Sequence, residues 1–288
     1  MVKTLIFGGS GQVSRALQLR LPDAAVAGST EADFTQPETV LAALEKYRPE
    51  IILNTAAYTA VDKAESEELA ALQVNGLTPG VIAEWAAKHD ALLVHYSTDY
   101  VFDGSGGNAR NEAAPTAPLS AYGRTKLMGE REIAKAGGRY FIFRLCWVYD
   151  EDGKNFLNTM LRLGADREQL SVVADQIGAP TYAGDIAEAT LQAMAKPDAP
   201  SGIYHFCNSG ETSWHGFALA IFEEAAARGQ AVKVQEVKAI ATADYPTPAK
   251  RPLNSRLDCR KFREVFGWAQ IPDWRSALNR CMARKFPG

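Results

Sequence analysis

The chain has 288 residues, 47% hydrophobic and 23% charged, with a formal net charge of −3. This is a globular composition with enough length to bury a large core. It carries no basic footprint for nucleic acid and no run of 18 apolar residues that would span a membrane.

Short apolar runs alternate with helical patterns through the first half. "KTLIFGG" (3–9) reads as a buried strand, and "QVSRALQLRL" (12–21) as a helix with Val13, Leu17 and Leu21 on one face. A short strand follows at 24–29. The helix predicted at 37–47 has Pro37 in its first turn. "EIILNTA" (50–56) is a third strand. Residues 65–89 form a long helical pattern in which Gly76, Pro79 and Gly80 mark a bend. "ALLVHYS" (91–97) is a fourth strand, 120–136 a helix and "YFIFRLCWVY" (140–149) a fifth strand. Such alternation predicts an α/β fold with a parallel sheet covered on both faces, and a ligand site beyond the carboxyl ends of its strands. The second half is less regular. Helices are expected at 155–164 and 214–229, strands at 170–176, 202–208 and 231–237, and an ordered loop with three prolines at 243–258. It reads as a smaller cap around a cleft.

Cys146, Cys207, Cys259 and Cys281 are widely spaced, and His89, His95, His205 and His215 show no metal-ligand spacing. Reduced thiols, no metal site and a cytoplasmic location are expected. The opening "KTLIFGGSG" turns polar too soon for a secretory signal.

"GGSGQVS" (8–14) lies between the first strand and the first helix. Gly8 and Gly11 fit a GxxGxxG pattern whose third place is taken by Ser14. Glycines there let the backbone turn tightly and approach a pyrophosphate. The second strand ends in "AGST" (27–30), with no acid before Glu31 to repel a 2′-phosphate, and Arg15 could meet one. The expectation therefore leans to NADPH, with NADH as the alternative.

The fourth strand runs into Ser97–Thr98–Asp99, and "SAYGRTKLMGE" (120–130) puts Tyr122 one helical turn before Lys126. A carbonyl reduced by hydride becomes an alkoxide and needs a proton. A phenol can supply it, and a nearby ammonium would favour the phenolate.

Taken together, the glycine turn, the Ser/Thr after the fourth strand and the YxxxK pair resemble the extended short-chain dehydrogenase/reductases. Within them the chain resembles the dTDP-4-dehydrorhamnose reductase family, through "NTAAYTAVDKAESE", "HYSTDYVFDG", "YGRTKLMGE", "LSVVADQIGAPT", "GIYHFCNSGETSWHGFA" and "YPTPAKRPLNSRLD". The resemblance implies a Rossmann-like doubly wound sheet in residues 1–147 and a smaller α/β sugar-nucleotide domain mainly in 148–288, with part of 178–205 returning to the first. It implies that Tyr122 donates the proton, Lys126 tunes it and holds the nicotinamide ribose, and Thr98 completes the triad. Gly8, Gly11, Gln12 and Val13 would line the pyrophosphate, Asp33 and Phe34 the adenine, and Ala57, Tyr58 and Thr59 the rest of the cofactor. Thr98, Asp99, Tyr122 and Trp147 would contact the dTDP-sugar. Arg251 would pair either a substrate phosphate or a structural carboxylate. The implied reaction reduces C4 of dTDP-4-dehydro-6-deoxy-L-mannose to give dTDP-L-rhamnose.

The chain departs from the family pattern at four places. Ser14 replaces a glycine, and Cys146 a small hydroxyl residue. Some members dimerise through Mg²⁺ on carboxylates at the positions of Ala16 and Gly184, neither of which can ligate a cation. A monomer, or a dimer built without that metal, is expected. A second function class stays open, a non-catalytic NADP-binding regulatory subunit of the kind that partners methionine adenosyltransferase. A dehydratase is disfavoured because Asp99 is followed by Tyr100 rather than Glu.

Overall fold

The computed structural model describes residues 3–287. In chain order the elements are β1 (Thr4–Phe7), α1 (Gln12–Gln18), β2 (Ala25–Ala27), α2 (Pro37–Tyr47), β3 (Ile51–Asn54), α3 (Val61–Ala64) and α4 (Glu68–Leu72). A π-turn (Gln73–Leu77) leads into α5 (Thr78–Lys88), and β4 (Leu92–Thr98) into a 3₁₀ turn (Asp99–Val101). Then come α6 (Ala121–Ala136), β5 (Arg139–Leu145), β6 (Val148–Tyr149), α7 (Phe156–Asp166), β7 (Gln169–Val173), β8 (Ile177–Gly178), β9 (Thr181–Tyr182), α8 (Ala183–Met194) and β10 (Gly202–His205). The chain closes with β11 (Thr212–Ser213), α9 (Trp214–Ala227), β12 (Glu236–Ile240), α10 (Arg260–Phe266) and α11 (Trp274–Lys285).

Six strands form one parallel sheet in the order β10-β5-β4-β3-β1-β2. Its apolar residues alternate between two cores. Leu5, Phe7, Ile52 and Leu93 face α2 and α5, with Val40, Leu44, Ile82 and Trp85. Ile6, Leu53, Val94 and Phe143 face α1, α8 and α10, with Leu17, Ile186 and Phe262. Both faces are covered, so the strands read as continuous apolar runs. The order reverses across β1, which places the switch point between β1 and β3. The sixth strand, β10, comes from the second half of the chain and pairs with β5.

The rest of the second half has its own core, in which Leu157, Met160, Leu170, Val172, Phe217, Ile221, Trp274 and Leu278 pack together from α7, β7, α9 and α11. Here the boundaries differ from the sequence reading. The strand expected at 231–237 begins only at Glu236, because the Lys233 and Val234 amides bond Gly164 O across the α7 end. The expected 140–149 strand is cut at Cys146–Trp147, where Trp147 takes a positive φ of 48°. The helical stretch at 65–89 is interrupted by the π-turn, and α10 and α11 were not foreseen. Among the described residues no helix is long and apolar enough to cross a membrane.

Candidate active site

β1 ends at Phe7, and Gly8 turns the chain with φ 91°. A Cβ on Gly8 would lie 2.8 Å from Ala56 N and 2.9 Å from Thr55 Oγ1, so the turn can sit against the end of β3 only with glycine. Gly11 N donates to Gly8 O (3.1 Å), and Gly11 then opens α1 with no side-chain cap. A Cβ on Gly11 would meet Gly8 O alone, at 3.6 Å. The result is a bare backbone concavity beyond β1, of a shape that fits a dinucleotide pyrophosphate. Ser14 is buried and accepts from Gln18 Nε2 (3.0 Å), so the missing third glycine is absorbed inside α1. Val13 packs on the α1-side core, and Gln12 Oε1 accepts from Asn155 Nδ2 (2.7 Å), tying the turn to the start of α7.

Several cofactor-side residues have structural partners of their own. The Asp33 carboxylate accepts from Thr35 N, Thr35 Oγ1 and Gln36 Nε2, an Asx turn leading into α2. Phe34 is buried edge-on against Phe7 (5.5 Å), and its carbonyl accepts from Thr78 Oγ1. Ala57 and Tyr58 follow β3 half-buried and Thr59 is exposed; Tyr58 OH donates to Glu67 Oε2 (2.7 Å). Arg15 does not face the end of β2. Its guanidinium donates to Ser10 O (2.6 Å), Asp150 Oδ2 (3.2 Å) and Asp152 O (2.9 Å) instead. Glu31 is turned to Lys46 Nζ (2.7 Å) and Tyr47 OH (2.9 Å), which leaves Gly28–Ser29–Thr30 at the end of β2 without a facing carboxylate.

The catalytic candidates converge at the carboxyl end of β4. Thr98 is its last residue; its Oγ1 donates to Asp99 Oδ1 (3.1 Å) and accepts from Tyr100 N (3.2 Å), capping the 3₁₀ turn. α6 begins at the Ser120 cap and lies directly on that turn. Any side chain at Gly123 would strike Tyr100 O, so glycine brings Tyr122 beside Thr98 and Tyr100. The Tyr100 and Tyr122 rings meet edge to face at 5.5 Å and 80°. One turn on, Lys126 is 1% exposed; its Nζ donates to Tyr96 O (2.6 Å) and lies 3.2 Å from His95 Nε2.

The electrostatics differ from the sequence expectation. Burial, and then the Asp99 carboxylate, push the Tyr122 phenol above its ordinary value, and Thr98 partly offsets this. Burial also lowers Lys126 to about 8, against an upward pull from Glu130. The ammonium is directed at Tyr96 O and His95. A protonated phenol at neutral pH is the form a proton donor needs. Asp99 is buried and pushed up to about 6 by desolvation, which the nearby Ser255 and Thr98 hydroxyls partly offset, and its Oδ2 makes no well-formed hydrogen bond among the described residues.

Tyr100, edge-on to Tyr122, also lines a cavity of about 860 Å³ with Asp62, Phe156, Gln176, Trp214 and Arg251, among others. Arg251 donates to Asp62 Oδ2 (2.7 Å) and Tyr100 OH (3.2 Å), so the structural carboxylate is its partner here. The Trp147 ring stacks on Trp214 at 3.8 Å and 15°. Trp147 itself holds a positive φ of 48°, and such backbone strain recurs at functional sites.

Sequence reasoning missed Asn75, Tyr100, Asp62 and Trp214. Asn75 sits in the π-turn and clamps the loop after β3, accepting from Tyr58 N (2.8 Å) and donating to Tyr58 O (3.1 Å) and Thr125 Oγ1 (3.2 Å). Its only signal was the bend at Gly76, and π-turns gather at functional sites.

Comparison with known proteins agrees along the whole chain. A family model described as the RmlD substrate binding domain matches residues 2–286. The dTDP-4-dehydrorhamnose reductase of Burkholderia thailandensis is 45% identical over 296 residues, covering 98% of each chain. That of Escherichia coli K12 is 43% identical over 293 residues, 98% of this chain and 97% of its own. The crystal structure of the Bacillus anthracis dTDP-4-dehydrorhamnose reductase in complex with NADP superposes with a TM-score of 0.92 at 35% identity, over 99% of this chain and 100% of that one. With a shared architecture and near-complete coverage, the chain belongs to the dTDP-4-dehydrorhamnose reductase family of extended short-chain dehydrogenase/reductases.

Proposed function

We infer that this chain is a dTDP-4-dehydrorhamnose reductase. It reduces the C4 carbonyl of dTDP-4-dehydro-6-deoxy-L-mannose with NADPH or NADH, giving dTDP-L-rhamnose. The observation that carries the reading is Tyr122 set beside Thr98 at the end of β4, with Lys126 one helical turn on and buried against the same strand, in a chain 45% identical end to end to a protein of that name. The relatives are named reductases, so the regulatory-subunit alternative has no support from them.

A nicotinamide cofactor, when bound, supplies the hydride. Gly8, Gly11, Gln12 and Val13 would hold its pyrophosphate in the backbone concavity. Asp33, Phe34, Ala57, Tyr58 and Thr59 would border it, the first two through their backbone, since their side chains are engaged elsewhere. The Tyr122 hydroxyl donates its proton to the C4 oxygen as negative charge develops there. Thr98 orients that hydroxyl and the carbonyl. Two of the three Lys126 donors are directed at Tyr96 O and His95, which leaves the third for the ribose or the nascent phenolate. Asp99 Oδ2 is a buried acceptor that a sugar hydroxyl would satisfy. Trp147 and its Trp214 stack wall the cleft, and Arg251 exchanges Asp62 for a substrate phosphate.

The same reading assigns cofactor binding to residues 1–147 and sugar-nucleotide binding mainly to 148–288, with part of 178–205, including β10, serving the first. It places the protein in the cytoplasm, as a monomer or a dimer built without a bridging cation. The test is oxidation of NADPH and NADH followed spectrophotometrically, with dTDP-4-dehydro-6-deoxy-D-glucose supplied together with a 3,5-epimerase. Turnover dependent on both the sugar nucleotide and the epimerase is expected; none with either cofactor would refute the reading.

A further inference from the structure

We propose that His95 is a positioning residue for Lys126, held by Asn54 with its proton on Nδ1 so that the bare Nε2 accepts a hydrogen bond from the lysine. The proposal rests on the reading of Lys126 as part of the reductase machinery.

Asn54 and His95 are register partners on β3 and β4, and both are buried, at 1% and 0% exposure. Asn54 Nδ2 lies 3.0 Å from His95 Nδ1, and Asn54 Oδ1 is left buried without a partner among the described residues. That orientation would make Nδ1 the acceptor and put the imidazole proton on Nε2. The Nε2 proton would then face the Lys126 ammonium at 3.2 Å, donor against donor. Turning the Asn54 amide by 180° removes the donor–donor opposition at Nε2. Oδ1 accepts from Nδ1–H, and the Nε2 lone pair accepts from Lys126 Nζ. Amide orientation is assigned from such networks, and this assignment pairs both imidazole nitrogens, Nδ1 with Asn54 and Nε2 with Lys126.

The groups around Lys126 fit a neutral ring. His95 faces it from β4, with the Tyr96 carbonyl beside it. From α6 itself come Tyr122, one turn before, and Glu130, one turn after. Glu130 is engaged by Arg144 from β5 and Ser97 from β4. Asn54 on β3 is uncharged, and Asn75 in the π-turn reaches only Thr125 and Tyr58. Burial and the neighbouring ammonium both hold the imidazole well below its ordinary value, so it stays neutral and able to accept. An aliphatic side chain would fill the same space between strand and helix. The imidazole adds a fixed acceptor that sets where the ammonium points.

The test uses the full chain labelled with ¹⁵N-histidine; with four histidines, the signal lost in His95→Gln identifies the residue. The expected spectrum shows a neutral His95 from pH 6 to 8 with the proton on Nδ1. An Nε2 proton or an imidazolium at pH 7 overturns the proposal. Its functional arm is the pH profile of kcat. Removing an acceptor of the charged form favours the free amine, so in His95→Leu the alkaline limb moves to lower pH. We expect about a tenfold loss relative to wild type at pH 8.5 and under about threefold at pH 6.5. His95→Gln, which keeps an acceptor oxygen, returns to within about threefold at both. An unshifted limb in His95→Leu, or no recovery with Gln, also overturns it. If His95→Leu does not fold, the tautomer and the Gln variant still decide. Lack of turnover in the wild-type chain would refute the reductase reading and leave the tautomer result standing.

Discussion

At the glycine turn, the site offers backbone. Gly8 and Gly11 contribute no side chains, and the Ser14 and Arg15 side chains that follow in α1 are engaged elsewhere. Across the cleft the large cavity is bounded by side chains drawn from Asp62 to Arg251, several already paired with one another. Between the two lies α6, with Tyr122 at the cleft and Lys126, Glu130 and Arg144 in a buried polar layer behind it. The difference separates what a single turn of chain can specify from what only the assembled fold can. Backbone recognition needs one local conformation. Side-chain recognition needs distant segments held in register, and the buried charges behind α6 supply part of that rigidity.

Breaking that layer gives the largest expected loss of stability. Glu130 accepts from Arg144 Nε (2.9 Å) and Nη2 (2.6 Å) and from Ser97 Oγ (2.5 Å), with both ions 2% exposed. Glu130→Gln leaves a buried guanidinium uncompensated, and we expect a cost of about 3–5 kcal/mol in denaturant unfolding. A loss under about 1 kcal/mol would show that the layer is not rigidly closed.

Acidification sharpens the contrast from the cavity side. Asp99 has its folded value raised to about 6, so it gains a proton as pH falls through 6 and ceases to be a pure acceptor. The logarithm of kcat/KM for the sugar nucleotide should fall with about unit slope below that point, while cofactor affinity, set mainly by backbone, stays flat. The Asp99→Asn variant should be slower and lack this limb. A parallel fall in cofactor affinity would erase the distinction between the two ends.

The smallest expected effect is that of a chelator. Ala16 and Gly184 border a pocket of about 370 Å³ with Arg15, Arg20, Glu151 and Arg284, and Arg284 already pairs with Glu151 (3.2 Å). Sedimentation equilibrium should give the same mass with and without EDTA; a chelator-sensitive dimer would contradict the expectation.

How much of this was legible in the sequence follows the same division. The strand–helix alternation, the glycine turn and the YxxxK pair are local patterns, and they foretold the parallel sheet and the place of the turn. The sheet's sixth strand was legible as a strand, but its pairing with β5 depends on a crossover through α8 that no local pattern records. Arg15 was misread because one residue's charge does not say which way its helix faces; α1 turns it to Asp150. Where the Lys126 ammonium points was not legible for a related reason. Spacing puts Tyr122 and Lys126 on one helix face, but burial and the acceptors on β4 decide where the ammonium points. Of the cavity residues only Arg251 was singled out; Asp62, Tyr100 and Trp214 were missed, since they meet it only in three dimensions.

The central claim is that the Tyr122 hydroxyl delivers the proton to the ketosugar. Its most direct test is single-turnover oxidation of NADPH by Tyr122→Phe, read alongside cofactor affinity measured by fluorescence. The account predicts a rate lowered by about 10²–10⁴ with the dissociation constant for NADPH within about threefold of wild type. A phenylalanine variant that turns over at the wild-type rate would contradict it.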